Sequence, residues 1–212
     1  YIAALGSTTW QSFARPIWEP GKLISGNYTD SKEAKYALLN GLDATKWTDY
    51  KVEADITAGT ASDRVCYVAA YGRTTGDKQA GDIYQFAILG KSEYFLLRRN
   101  ATGKSGNKTD LQKVAIASYF RNYKKGDTIR MAITAVTFDN FVTLICEATY
   151  KGKTQVIFAY NDTSAGRYTC GMPGFGMQLQ NSSLDNVKVV EVDRSKIVVP
   201  TLGGPSGSGV LY

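Results

Sequence analysis

The feature that most constrains the fold of this 212-residue chain is a series of short segments in which apolar and polar residues alternate. In the segment YKVEADI, residues 50–56, every second residue from Val52 is apolar and each residue between them is charged. Successive side chains of a β-strand point to opposite faces of the sheet. The pattern therefore predicts a strand with one buried face and one face in solvent.

Similar segments, rich in β-branched and aromatic residues, recur between turns of glycine, aspartate, asparagine and lysine. Helix signals are nearly absent, and the one ambiguous stretch, residues 30–41, favours either one or two helical turns or an edge strand. This spacing is typical of an all-β fold, a two-sheet antiparallel β-sandwich. The clearest strands are predicted at residues 50–58, 64–72, 82–90, 94–99, 128–138, 141–150, 154–160 and 184–192.

The composition, with 43% hydrophobic and 21% charged residues, is sufficient for one globular core. The predicted strands end near Val192, so we expect a sandwich domain at residues 1–192 and a C-terminal extension at residues 193–212. The extension holds two apolar stretches, KIVVPTL and VLY, on either side of a glycine/serine spacer. It is predicted to be either a strand exchanged between subunits or a linker.

The net charge of +6 and the pI near 9.1 raise the question of an anionic partner. Lysine and arginine are spread along the chain, and no nucleic-acid-binding motif accompanies them, so we expect no nucleic-acid partner. No apolar stretch approaches the roughly 20 residues of a membrane span. An acidic polysaccharide or another anionic surface remains compatible with the charge.

Acceptor patterns for N-glycosylation, N-x-[ST], occur at five of the nine asparagines, which is more than chance predicts. They favour an extracellular or cell-surface glycoprotein, and the start at Tyr1 favours a processed N-terminus. The alternative is a set of accidental matches in a surface rich in serine and threonine. The five acceptors are Asn27, Asn100, Asn107, Asn161 and Asn181.

Cysteine and histidine usage limits the chemistry of the chain. Cys66, Cys146 and Cys170 are far apart and show no metal-binding spacing, and the sequence leaves open whether any pair forms a disulfide. There is no histidine, which excludes Ser/His/Asp and Cys/His catalysis as well as histidine-ligated metal sites.

Six segments along the chain carry a family resemblance through their order. They are WTDYKVEADI from Trp47, YVAAYGR ending at Arg73, IYQFAIL from Ile83, GDTIRMAITA from Gly126, and GMPGFGMQ from Gly171 followed by LDNVKVVEV. This order resembles the concanavalin A-like lectin and glucanase superfamily, particularly its laminin-G-like and 3-keto-disaccharide-hydrolase-like branches. The resemblance covers roughly residues 10–192 and implies a jelly roll of two curved antiparallel sheets, the concave one often carrying a carbohydrate site.

The resemblance implies carbohydrate-binding residues on the two strands that line the concave face. Aromatic rings cover the apolar faces of sugars, and arginine and amide groups bind their hydroxyls. The alternative is that the same tyrosines belong to the core of the sandwich. The candidates at these positions are Tyr71, Arg73, Tyr84 and Gln85.

Two further implications concern metal and catalysis. Relatives often hold a structural calcium ion, and Asp185 lies where a ligand would be expected, although a turn or an Asx cap explains it too. Glycosidases of the superfamily use the pattern E-x-D-x-x-E, which is approached twice, once at Glu53 and Asp55 and once at Glu191 and Asp193, but lacks its last glutamate both times.

Together these observations predict an extracellular, non-catalytic β-sandwich that binds glycan or cell-surface polysaccharide, or mediates adhesion. It requires no cofactor, with calcium as a structural option. The main alternative is a structural subunit of an extracellular filament or sheath, a polymer in which terminal strands are exchanged between copies. A glycoside hydrolase is the third interpretation.

Overall fold

The chain folds into two antiparallel sheets. The structure, a computed structural model, describes residues 10–13, 17–19, 22–24, 35–39, 43–60, 65–73, 82–89, 91–100, 108–177 and 182–200. Within these residues the strands are β1 (Trp10–Phe13), β2 (Ile17–Glu19), β3 (Lys22–Ile24), β4 (Lys35–Leu39), β5 (Tyr50–Thr57), β6 (Val65–Arg73), β7 (Asp82–Leu89), β8 (Tyr94–Asn100), β9 (Lys108–Ala115), β10 (Thr128–Thr137), β11 (Val142–Tyr150), β12 (Lys153–Asp162), β13 (Met172–Met177) and β14 (Ser183–Glu191).

Seven of these strands form each sheet, and every pairing between described strands is antiparallel. Sheet 1 has the order β1-β4-β13-β6-β7-β8-β9, and sheet 2 has the order β12-β11-β10-β5-β14-β3-β2. The predicted all-β, two-sheet sandwich is confirmed. Strands adjacent in space are often far apart in sequence, as expected of a jelly roll.

The main core lies between the sheets. In β5 the alternation seen in the sequence is reproduced, because Val52, Ala54 and Ile56 are fully buried while the charged residues between them are half-buried on the outer face. Strands β10 and β11 contribute in the same way with residues such as Ile133 and Leu144. Burial of such aliphatic side chains stabilises the fold by about 1.5–3 kcal/mol each.

Sheet 1 is buried on its outer face as well. A second apolar cluster there includes Tyr67, Ala69, Ile83, Ala87 and Leu96, all at most 3% exposed. This explains why β6 and β7 are buried along nearly their whole length and lack the alternation of β5. Strands buried on both faces have continuous apolar runs in their sequences.

The strands expected from the sequence are present with ends shifted by at most two residues. Between the two interpretations of residues 30–41, the structure has a strand, since β4 covers Lys35–Leu39. Among the described residues, no helix has the length and hydropathy to cross a membrane. All three cysteines lie in the described part, and no disulfide bond joins any two of them.

The segment after the last strand crosses the end of sheet 2. It begins beside Asp49, whose carboxylate binds the Arg194 guanidinium at 2.7 Å and whose carbonyl accepts a bond from the amide of Val192. It ends over the edge strand β12, where the side-chain amide of Asn161 donates to the carbonyl of Pro200 at 2.7 Å. We call residues 193–200 the C-terminal strap; residues 201–212 of the predicted extension lie outside the described residues.

Candidate functional site

Tyr71 and Tyr84, two of the four predicted sugar-binding residues, lie in the core between the sheets. Both rings are fully buried, and each is in contact with another tyrosine: Tyr71 with Tyr50 at 5.6 Å between ring centroids, and Tyr84 with Tyr168 at 5.2 Å. The Tyr71 hydroxyl donates to the carbonyl of Ala135 on the opposite sheet. The rings therefore have no face in solvent, and we assign them a structural role.

A β-bulge explains the position of Tyr71. Strict alternation along β6 would place Tyr71 on the outer face with Tyr67 and Ala69. The register with β7 shifts between Ala70 and Arg73, and Tyr71 has a positive φ of 55°. The bulge reverses the alternation and turns the Tyr71 ring into the core.

Arg73, the third candidate, ends β6 and is partly buried. Its Nε donates to the carbonyl of Cys170 at 3.2 Å, and its Nη2 lies 2.7 Å from the Sγ of the same residue. It thus attaches the loop before β13 to the end of sheet 1. Its guanidinium is engaged with the protein chain.

Gln85, the fourth candidate, lies on the outer face of sheet 1 within a polar row. Its neighbours Tyr84 and Phe86 face the core, so its own side chain points away from the other sheet. Antiparallel pairing places Gln85 opposite Ala69 on β6 and Arg98 on β8, and places Arg98 opposite Asp110 on β9. Residues opposite one another in this way are direct neighbours on one face.

Exposure increases along this row towards the edge of the sheet. Gln85 is 2% exposed, the Arg98 side chain is 12% exposed and the Asp110 side chain is 50% exposed. The Arg98 Nε donates to Asp110 Oδ1 at 2.6 Å. A ligand approaching from the β9 edge would therefore meet Asp110 first, then the guanidinium and finally the Gln85 amide.

Two amide oxygens in this region accept no hydrogen bond within the described part of the chain. They are Oε1 of Gln85 and Oδ1 of Asn100, and both are buried from solvent. Asn100 lies two residues beyond Arg98 on the same face of β8 and is 7% exposed. A buried acceptor without a donor costs about 1–3 kcal/mol, so native proteins rarely retain one without reason.

We call Gln85, Arg98, Asn100 and Asp110 the polar row. It combines two buried amide oxygens that accept no bond in the described part of the chain with a guanidinium and a carboxylate on the same face of β7, β8 and β9. Such a set matches a polyhydroxylated ligand, because each hydroxyl both donates and accepts hydrogen bonds. Among the described residues no cluster of three or more acidic, cysteine or histidine side chains is available for a metal ion.

Sequence reasoning identified Gln85 but missed the other three residues as a site. The segment YFLLRR, residues 94–99, was correctly predicted as a strand, which extends to Asn100 in the structure, and Asn100 was singled out only as a glycosylation acceptor. The missing information was the register, since Arg98 faces Gln85 only because β7 and β8 pair through the turn at residues 91–93. The charged strand β9 was not predicted at all.

A second polar cluster, between the sheets, has a structural character. The carboxylate of Asp162 on β12 is 1% exposed and accepts bonds from the Tyr84 hydroxyl at 2.6 Å and the Arg99 guanidinium at 2.9 Å. Ser164 donates to the other carboxylate oxygen through its amide and its hydroxyl. Burial raises the pKa of Asp162, but the bonds from Ser164 and Tyr84 and the charge of Arg99 outweigh burial and hold it below its ordinary value.

Two of the five predicted glycosylation acceptors lie in the described part of the chain. Asn100 is one of them and is buried. Asn161 uses both ends of its amide, since Oδ1 accepts from the Thr143 hydroxyl while Nδ2 donates to Pro200. A glycan at either position would need the side chain to leave this arrangement. Asn27, Asn107 and Asn181 lie outside the described residues.

The surroundings of Asp185 do not fit a calcium ion. Its Oδ1 accepts a bond from the amide of Asn186, as in an Asx cap. The oxygens nearby that a cation would need, Asp55 Oδ1 and the Asn186 carbonyl, accept bonds from the guanidinium of Arg130. The Arg130 guanidinium thus already binds two of the oxygens near Asp185, whereas calcium takes six to eight oxygen ligands.

Glu53 and Asp55 approach the glycosidase pattern E-x-D-x-x-E but lack its last glutamate. Both carboxylates bind the guanidinium of Arg130, at 3.0 and 2.9 Å. Burial raises the pKa of Glu53, but the hydrogen bond and charge of Arg130 outweigh it and lower the pKa overall. A general acid of a glycosidase needs the opposite shift, a raised pKa. The pair therefore forms an ion-pair network on the outer face of sheet 2.

Comparison with solved structures identifies the fold. No family model and no curated protein sequence matches the chain significantly. The chain is similar in structure to a legume lectin-like domain from Entamoeba histolytica, with 11% identity, a TM-score of 0.57 and coverage of 88% of this chain and 92% of that one.

Two further similarities point the same way. The metal-free exoplasmic/lumenal domain of VIP36 is 12% identical, with a TM-score of 0.55 and coverage of 91% and 90%. The lectin UEA-II, solved in complex with galactose, is 11% identical, with a TM-score of 0.53 and coverage of 86% and 92%. The resemblance noted in the sequence is thus confirmed at the level of architecture: the chain has the concanavalin A-like lectin fold.

Proposed function

We propose that this protein is a carbohydrate-binding β-sandwich that binds glycan, or mediates adhesion through glycan, at the polar row of sheet 1. The observation that carries the proposal is the pair of buried acceptors, Gln85 Oε1 and Asn100 Oδ1, next to the Arg98 guanidinium. The lectin fold supports it, as does the galactose complex of UEA-II, which is a property of that lectin.

The chemistry of the row indicates how a sugar would be held. Two hydroxyls of one ring would donate to the oxygens of Gln85 and Asn100, and another oxygen would accept a bond from Arg98. A bond to a charged donor contributes about 1.5–3 kcal/mol, and satisfying a buried acceptor contributes a similar amount. An ordered water could satisfy the same oxygens, and the binding experiment distinguishes the two cases.

The proposed role is non-catalytic. The chain has no histidine, and the Glu53–Asp55 pair is bound by Arg130, which lowers the pKa of Glu53.

The protein is proposed to be a glycoprotein that is located outside the cell or on the cell surface. The acceptor patterns at Asn27, Asn107 and Asn181 support this, and so does the exoplasmic or lumenal description of the VIP36 domain.

The experiment is a binding screen on a broad glycan array with the unmodified chain, followed by titration calorimetry on the best ligand. Arg98→Ala should weaken binding by about tenfold or more. Lys188→Ala, an exposed change on the outer face of sheet 2, is the matched control and should bind as the wild type does. Binding that is unaffected by Arg98→Ala would exclude the polar row as the site.

A second candidate function is a structural subunit of an extracellular filament or sheath. The observation that favours it is the C-terminal strap, which brings the chain to the edge strand β12 through the Asn161–Pro200 bond. A subunit of this kind should form fibres or large oligomers visible in electron micrographs of the purified protein. Uniform single particles at all concentrations would exclude it.

A further inference from the structure

Strand β9 is an edge of sheet 1, and strand β12 is the edge of sheet 2 on the same side of the sandwich. The two edges differ in how they are protected against pairing with another chain. Edge strands expose unpaired backbone groups, and charged side chains normally prevent them from pairing with other chains. Strand β9 carries Lys108, Asp110 and Lys113, all exposed. In contrast, residues 154–161 of β12, with the sequence TQVIFAYN, contain no charge. In the part of the chain that the structure describes, β12 pairs with β11 alone.

The strap adds an apolar surface next to this uncharged edge, where the carbonyl of Ile157 accepts a bond from the Tyr119 hydroxyl. Val198 and Val199 are 64% and 36% exposed, the large hydrophobic residues with most exposure among those described. Val136 and Thr143 point to the outer face of sheet 2 and are nevertheless fully buried, and Thr143 donates to Asn161, which in turn donates to Pro200 of the strap. The strap is therefore packed on the sheet, while its valines are left in solvent beside β12.

The continuation of the strap is suited to pairing with an edge strand. Residues 201–212, TLGGPSGSGVLY, contain no charge and place three apolar residues, Val210 to Tyr212, after a seven-residue spacer of glycine, serine and proline. A strand folding back on its own β12 would need a turn of only two to five residues. The spacer instead has a reach of about 15 Å on average and about 24 Å when extended, enough to bridge to a neighbour.

We infer that the outer edge of β12 accepts residues 210–212 of a second copy of this chain as an added strand, with Val198 and Val199 covered in the same contact. The inference rests on the second candidate function, the filament subunit, and names its acceptor edge. Main-chain hydrogen bonds to β12 would provide most of the affinity, and the apolar side chains would set the register. It is independent of glycan binding, since the polar row lies on the other sheet.

The test compares charge changes in two parts of the same segment of the full chain. Val210→Asp with Tyr212→Asp places two charges in the docking residues, whereas Ser206→Asp with Ser208→Asp places two in the spacer. Sedimentation velocity over a hundredfold range of concentration should show oligomers for the wild type and the spacer variant. The docking variant should remain monomeric.

Hydrogen exchange of the backbone amides identifies the strand edge that accepts the added segment. Above the assembly concentration, amides of β12 should exchange at least tenfold more slowly than in the docking variant, while those of β9 should be unchanged. Protection of β12 that does not depend on concentration would mean that the segment docks on its own subunit, which overturns the inference. Assembly without protection of β12 would overturn the acceptor edge but leave the filament function intact, and a monomer at every concentration would overturn both.

Discussion

The hydroxyl of Tyr84 on sheet 1 donates a 2.6 Å hydrogen bond to the carboxylate of Asp162 on sheet 2. The same carboxylate binds Arg99, so a buried ion pair and a phenol together connect the sheets at one end. On the opposite face of the same strands lie Gln85 and Asn100, each adjacent in sequence to a member of this cluster. The cluster therefore fixes the ends of β7 and β8 that present the polar row.

Asp162→Asn should destabilise the fold without changing its architecture. The substitution removes the charge that Arg99 faces, and breaking one partner of a buried ion pair costs about 3 kcal/mol. Urea unfolding monitored by tryptophan fluorescence would measure the loss. Asp139→Asn, in the exposed turn between β10 and β11, is the control and should change stability by less than about 0.5 kcal/mol.

The stability difference between the wild type and Asp162→Asn should depend on pH. Because the folded pKa of Asp162 is lowered, its stabilisation is complete above the unfolded value of about 3.9 and is lost as the pH falls through the lower folded pKa. The difference should be constant from about pH 7 to 5 and shrink below about pH 4. A difference that already shrinks near pH 6 would indicate a raised pKa and contradict the assignment.

Gly171→Ala should destabilise the protein much more than Gly152→Ala. At Gly171, with φ of 152°, an added Cβ would lie 2.3 Å from the carbonyl carbon of Tyr71, a backbone atom that cannot move aside. At Gly152, with φ of 76°, nothing lies within 4 Å of the added atom. We expect losses of roughly 3 and 1 kcal/mol respectively. Thermal unfolding measures both losses. Equal losses would show that the close contact between the added Cβ and the backbone of Tyr71 does not destabilise the fold.

Much of the fold follows from local sequence pattern. The alternation in β5, whose charged face is partly in solvent, and the β-branched runs of β10 and β11 predict these strands. Strand β9 lacks such a pattern because its residues are mostly polar, and it is held in place by pairing with β8. Strand β13 has two glycines among six residues, which weakens any strand signal.

The candidate site is less predictable for a physical reason. Which face of β7 points to the core depends on long-range pairing. The sequence alone therefore does not indicate whether Tyr84 or Gln85 faces the core. At β6 the bulge reverses the alternation, and Tyr71 reaches the core for that reason. The unsatisfied oxygens of Gln85 and Asn100 are a property of the packed structure, which no spacing in the sequence indicates.

The central claim is that Gln85 is kept at a buried position for a ligand. The decisive measurement is the glycan affinity and the unfolding free energy of Gln85→Leu, beside the wild type. Replacing a buried amide whose oxygen accepts no bond in the described part of the chain with an apolar side chain of similar size should leave stability unchanged or increase it. We expect at least a tenfold loss of affinity with no loss of stability. Unchanged affinity, or a loss of stability that accounts for the weaker binding, would contradict the proposed function.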